Sequence, residues 1–227
     1  MGDCRSMGGT PRRGRGRFFK LPAVAELLAE EGFVEVEVEM LHELLDTEWL
    51  HFDVVNGIAG RAECQDNAIG FFIYRTAQYL SFPRETLACV HDDVLAADAQ
   101  GRNVIREKYA RMMERTDPAE FERTWRGHLE EISTVKQGVL DSIERTLRAM
   151  LSDAAGAMPA ATKHARGTVS REELVSSIDY YICEISSYSL NTLYCLRDGL
   201  QQQLANHVNP IADTYVNSLR VQQALEA

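Results

Sequence analysis

The sequence predicts an all-α protein, built as a single bundle of long antiparallel helices behind a disordered N-terminal tail. Three observations carry this prediction. Apolar residues recur at three- and four-residue intervals along most of the chain. The breaks between those stretches fall at glycine or proline, the usual helix stops and starts. The one strictly alternating run, residues 33–39 (FVEVEVE), finds no second strand to pair with, and neither βαβ alternation nor an internal repeat is present.

Taken in order, Leu21-Pro22 opens a short helix that Gly32 stops. Residues 33–39 then read as an extended lead-in or a first helical turn. From about 40 to 56, Leu41, Leu44, Leu45, Trp49, Phe52 and Val55 form a helical stripe that Gly57 and Gly60 end. A helix over about 62–80 carries Ile69, Phe72, Ile73, Ala77 and Leu80 on one side. Pro83 starts the next, with Leu87, Val90, Val94 and Leu95, and Gly101 interrupts before a helix over 103–115. Asp117-Pro118, as N-cap and first-turn proline, restarts the chain through Phe121 and Trp125 into a segment ending near Leu151. Residues 153–168 are small and interrupted by Gly and Pro, so they read as a loop. Ser170 and Glu173 form a capping box ahead of one long helix over about 171–206, with Leu174, Ile178, Ile182, Ile185, Leu193, Leu196 and Leu200 inside. A terminal piece follows Pro210.

The chain has 227 residues and a net charge of −10, yet residues 1–20 hold six basic side chains against one acid. That segment alternates Gly and Arg, cannot bury a core, and reads as a disordered tail, leaving 21–227 as the helical domain. An RNA-binding arm is one reading of the tail. The acidic body, which would repel phosphates, speaks against nucleic acid as a partner. No stretch reaches the roughly 20 apolar residues that cross a bilayer, and the basic start does not resemble a secretory leader. Five cysteines without a CxxC pair or a metal-type spacing suit a reduced, cytoplasmic chain. An amphipathic bundle of this kind is also a candidate homodimer.

The informative residues are polar ones where apolar ones belong. At 100° per residue Glu48 sits in the middle of the arc made by Leu41, Leu45, Phe52 and Val55. A carboxylate there must be paired, ligated or catalytic, because bare burial is too costly. His51 completes a Glu-x-x-His spacing of the di-iron type, but the second such pair, Glu39 and His42, lies about 180° round the same helix. Residues 57–67 (GIAGRAECQDN) concentrate the most chemistry. Glu63, Cys64, Gln65 and Asp66 open the next helix there, in a field that favours acids and would activate the Cys64 thiol beside Arg61. A satisfied structural network explains the same residues equally well. In the last long helix Ser189 centres on the stripe, flanked by Glu184, Tyr181, Tyr188 and Cys195. Gly101-Arg102-Asn103 with Glu107, Lys108 and Tyr109 reads as a capped helix break or the charged lip of a pocket. No GxSxG, P-loop or post-strand GxGxxG occurs, and no cofactor is named by the sequence; haem ligation by a single histidine stays open.

Glu48-Trp49, the string Gly60-Arg61-Ala62-x-Cys64-Gln65-Asp66, Arg75, the 101–109 segment, and Glu184 with Tyr188-Ser189 together resemble an uncharacterised bacterial family, domain of unknown function 4125. The likeness runs over roughly residues 45–200. Two positions depart from the family pattern: Glu63 stands for a small residue and Asn67 for a second acid. The resemblance implies a helical cytoplasmic protein, and that Glu48, Arg61, Cys64, Gln65, Asp66, Arg75 and Glu184 share one site. It names no reaction. The expectation is a small-molecule enzyme in which Arg61 and Arg75 hold an anionic group, Gln65, Glu184 and Tyr188 complete the substrate pocket, Glu48 or Asp66 moves a proton, and Cys64 acts as nucleophile or ligand. The alternative is a non-catalytic interaction or maturation module whose buried polar groups serve the fold.

Overall fold

A computed structural model describes residues 15–56, 60–157 and 176–226. Ten α-helices and no strand occur among them: α1 (Pro22–Glu30), α2 (Glu35–Asp53), α3 (Ala68–Ser81), α4 (Thr86–Ala99), α5 (Val104–Thr116), α6 (Pro118–Thr124), α7 (Thr134–Ala157), α8 (Ser177–Ile185), α9 (Leu190–Ala205) and α10 (Pro210–Glu226). Two 3₁₀ turns, Arg15–Lys20 and Glu63–Asp66, complete the regular structure. The helices bury one continuous core in which α10 lies along α3, α2 along α4, α9 along α7 and α5 along α8.

Local chemistry explains most boundaries. Pro22 occupies the first turn of α1, and Gly32, at φ 75°, ends it in the left-handed conformation that a side chain disfavours. The alternating 33–39 run enters α2 as its first turn, because the Val34 N–H donates to the Glu37 carboxylate at 3.0 Å and so closes a helical start. Asn103 caps α5 by accepting from the Arg106 N–H at 2.8 Å, and Asp117 caps α6 by accepting from the Glu120 N–H at 3.1 Å, as their sequences predict.

Five expectations are corrected. The tail does not extend to residue 20: Phe18 and Phe19 are buried, and Phe18 stacks on Phe72 with centroids 5.4 Å apart, so two aromatic rings anchor what the flanking arginines suggested was solvated. Residues 153–157 continue α7, whose inward residues Leu140, Ile143, Leu147, Met150 and Ala154 keep helical spacing. The helix expected from about 62 begins only at Ala68, and Ile69 in its first turn is 63% exposed, not part of the core stripe. The helix expected over 171–206 is broken at residues 186–189 into α8 and α9. Ser189 is accordingly not a stripe residue but the N-cap of α9, accepting from the Thr192 N–H. The predicted capping box at Ser170 and Glu173 and most of the 153–168 loop lie outside the described residues.

Candidate functional site

The structure gathers the singled-out residues into two clusters and opens a cleft beside one of them. The first cluster lies inside the bundle, between α2, α3, α5 and α8. Glu48 is 1% exposed. Arg75 approaches it side-on: Nε donates to Oε2 at 2.8 Å and Nη2 to Oε1, a bidentate pair. Nη1 of Arg75 donates to Glu184 Oε1 and to Gln78 Oε1, both at 2.8 Å, and Nη2 also reaches the Tyr79 hydroxyl at 2.9 Å. Tyr79 in turn donates to Glu48 at 2.8 Å, and Lys108 closes the network on Glu184 Oε2 at 2.6 Å. Two carboxylates thus face two cations. All five guanidinium N–H groups of Arg75 are engaged.

The electrostatics follow from this closure. Burial works against the charge of Arg75, but Glu184 and then Glu48 outweigh it and hold its pKa well above the ordinary arginine value. Burial likewise pushes against ionised Glu184, yet Arg75 and Lys108 prevail and bring it down to about 2. The hydroxyls of Tyr79 and Tyr188 are driven well above the ordinary tyrosine value, first by burial; for Tyr188 the charges of Glu184 and Glu48 add to it. Tyr188 therefore stays neutral beside the network. The same face of α5 continues the pattern, with Arg115 donating to Asp179 of α8 at 2.6 Å.

The second cluster lies at the C-terminal end of α2. Arg61 follows Gly60, whose φ of 89° turns the chain there. Its Nε donates to Asp66 Oδ1 at 2.9 Å, its Nη1 to the Asp53 carbonyl at 2.7 Å, and its Nη2 to Asp53 Oδ1 at 2.7 Å and the Gln65 carbonyl at 2.6 Å. Asp66 and then Asp53 raise its pKa. Gln65, 3% exposed, donates to the carbonyls of Phe52 at 2.6 Å and Val55 at 2.8 Å and accepts from the Ala62 N–H at 2.7 Å. It thereby ties the Glu63–Asp66 turn to two carbonyls at the end of α2. Cys64 and Asp66 are exposed in the Glu63–Asp66 turn. Asn67 caps α3, its Oδ1 accepting from the Gly70 N–H at 2.9 Å. The partners of Arg61 and Arg75 do not overlap, so the seven residues expected in one site divide between two clusters.

Glu48 and His51 also part company: the His51 Nε2 lies 2.9 Å from Asp98 Oδ1, away from Arg75. Among the described residues no three His, Cys, Asp or Glu side chains converge as they would on a metal. Cys64, Cys89, Cys183 and Cys195 are free thiols, with the Cys89 and Cys195 sulfurs 3.7 Å apart.

Between α2, α5 and α6 lies a cleft of about 980 Å³. Gly60, Ala62 and Gln65 of the Gly-Arg-Ala string form one wall, with Phe52 and Val55 from α2. Arg106, Tyr109, Ala110 and Met113 of α5 form the second, at the spacing of a single helix face, and Trp125 beyond α6 the third. Sequence reasoning offered a pocket lip as one of two readings of the segment that holds Tyr109, the other being a capped helix break, and missed Arg106 and Trp125 as lining residues. It also missed Tyr79, although Tyr79 stands four residues from Arg75 on the same helix face.

No helix among the described residues is long and apolar enough to cross a membrane. Comparison with curated proteins and with solved structures finds no match. Residues 38–223 match the family model described as a protein of unknown function, DUF4125, and the chain belongs to that family.

Proposed function

We propose that this protein is a small-molecule-binding helical module, with its ligand taken in the cleft between α2, α5 and α6 and its buried ion network serving as framework. The cleft of about 980 Å³ carries this reading, because it has the size and the mixed aromatic and polar lining of a small-molecule site. It is bounded by Gly60, Ala62, Gln65 and Tyr109, residues that the sequence singles out for other reasons.

The arginines expected to hold an anionic substrate have other work. Arg75 has no N–H left to donate, and Arg61 is fastened to two aspartates and two carbonyls. Glu48, with its two oxygens taken by Arg75 and Tyr79, lacks the access to a substrate proton that general acid–base work demands. These contacts favour the module over an enzyme centred on Glu48.

A thermal-shift panel of small aromatic and aliphatic acids, amines and neutral compounds tests the proposal. A ligand at about 100 times its Kd adds about 2.7 kcal/mol, which raises the midpoint of a domain this size by roughly 5–10 °C. Val54→Trp and Thr116→Trp, both at exposed lining positions, should abolish the shift by filling the cleft. If no compound shifts the wild type, or if the shifts survive in both filled variants, the proposal fails.

A further inference from the structure

The chain is acidic, and its described arginines are almost all spent on carboxylates. Arg61, Arg75, Arg84, Arg102, Arg111, Arg115, and others beyond them each hold an Asp or Glu. Arg106 is different. Its neighbours one turn away along the chain are Arg102, Asn103, Tyr109 and Ala110, none of them acidic, and both oxygens of the adjacent Glu107 accept from Arg102. Among the described residues its guanidinium pairs with no acid and lies over the Trp125 ring, 5.2 Å from the centroid. This contact is made by the positive charge over the ring and ties up none of the guanidinium N–H groups in a hydrogen bond, so they remain available to an anion. Arg106 and Trp125 both line the cleft.

The acids at the cleft are already committed. Both oxygens of Glu120 accept from Arg123, and Asp117 caps α6 through the Glu120 N–H. Asp117 is also eleven residues beyond Arg106 on α5, about 16 Å along the axis. The Arg106 end of the cleft is therefore its cationic end, and it is also the end where Trp125 stands.

Resting on the cleft as the binding site, we infer that the ligand is an aryl anion: a flat aromatic body against Trp125, with a carboxylate, sulfonate or phosphate group received by Arg106. The aromatic ring supplies stacking and apolar area. The anion supplies two parallel charge-assisted hydrogen bonds, the interaction that arginine makes best.

Two dyes that share their rings and differ by one sulfonate test the inference on the full chain: 1-anilinonaphthalene-8-sulfonate and the neutral N-phenyl-1-naphthylamine. The wild type should bind the sulfonate about tenfold more tightly. Arg106→Gln, at an exposed position, should bring the two affinities together. Trp125→Ala should weaken both, and Arg145→Gln, which alters an arginine on α7 outside the cleft, should change neither. Equal affinity in the wild type, or a preference that persists in Arg106→Gln, overturns the inference. Two outcomes reach further: dye binding that survives Val54→Trp and Thr116→Trp, or no binding of either dye, removes the cleft reading itself. Two dyes bound equally and lost together in the filled variants would sink the anion preference alone.

Discussion

Replacing Arg75 by methionine is the sharpest perturbation of the framework. The methionine keeps much of the side-chain volume and removes every hydrogen bond. Glu48 would keep only the Tyr79 hydroxyl, and Glu184 would keep Lys108. Removing one member of a buried ion pair costs about 3–5 kcal/mol, chiefly because the stranded charge stays desolvated. For a domain of this size each kcal/mol moves the midpoint by about 2–4 °C, so the drop should be roughly 6–20 °C. Circular dichroism or scanning calorimetry reads it directly. Adding Glu48→Gln to Arg75→Met should restore part of the loss, since the stranded charge goes with it, and that partial rescue keeps the test decisive if the single variant folds poorly. A midpoint within about 2–4 °C of wild type, the equivalent of 1 kcal/mol, would refute the reasoning, as would a double variant no more stable than Arg75→Met.

Other expectations follow from single contacts. Glu184 has its pKa lowered from 4.5 to about 2, so its contribution is fully present above pH 4.5 and drains away as pH falls from there toward 2; acid titration of unfolding should register the loss in wild type and much less in Glu184→Gln. Asn67→Ala should cost about 1 kcal/mol by uncapping α3, whereas Asn67→Asp should be nearly neutral, both read by denaturant midpoint. Gly199→Ala should destabilise by about 1–3 kcal/mol despite the better helix former, because its Cβ would run into the Pro83 ring. Arg61→Gln should speed amide exchange of residues 60–66 and leave the global midpoint almost unchanged, since the clamp is local and exposed. In a Cys4→Ser background, a disulfide reagent at pH 7 should label exposed Cys64 well before Cys183, whose thiol burial pushes up, and Cys89, pushed up to about 11 by burial and by the Cys195 thiol.

Much of the fold is legible in the sequence because helical spacing and caps are local signals. Asn103, Asp117 and Pro22 each act within one turn, and each does what its sequence predicts. The break between α8 and α9 escapes, because Ile182, Ile185, Leu193 and Leu196 keep a helical phase across it. Only the Ser-Ser-Tyr-Ser run at 186–189, rich in side chains that bond to nearby backbone, signals the interruption. Ile69 misleads for a different reason: it keeps helical spacing with Phe72 and Ile73, but it stands in the first turn of α3, where it is exposed. Among site residues, the burial of Glu48 was visible from its place on α2 and demanded a partner. Which arginine supplies it could not be read locally, since Arg75 is 27 residues away and Glu184 joins from 109 residues beyond Arg75. The Glu63 and Asn67 departures also find physical places. Glu63 lies in an exposed turn, and Asn67 caps α3 with the same side-chain oxygen an aspartate would use.

The central claim is that the cleft binds and the ion network supports. Crystals of the full chain soaked with a set of small aryl carboxylates and sulfonates test it most directly. The account predicts density between α2, α5 and α6, with the ring on Trp125, the anion at Arg106, and the contacts of Arg75 with Glu48 and Glu184 unchanged. Ligand density at Glu48, Arg75 and Glu184, with those pairs opened to receive it, would contradict it.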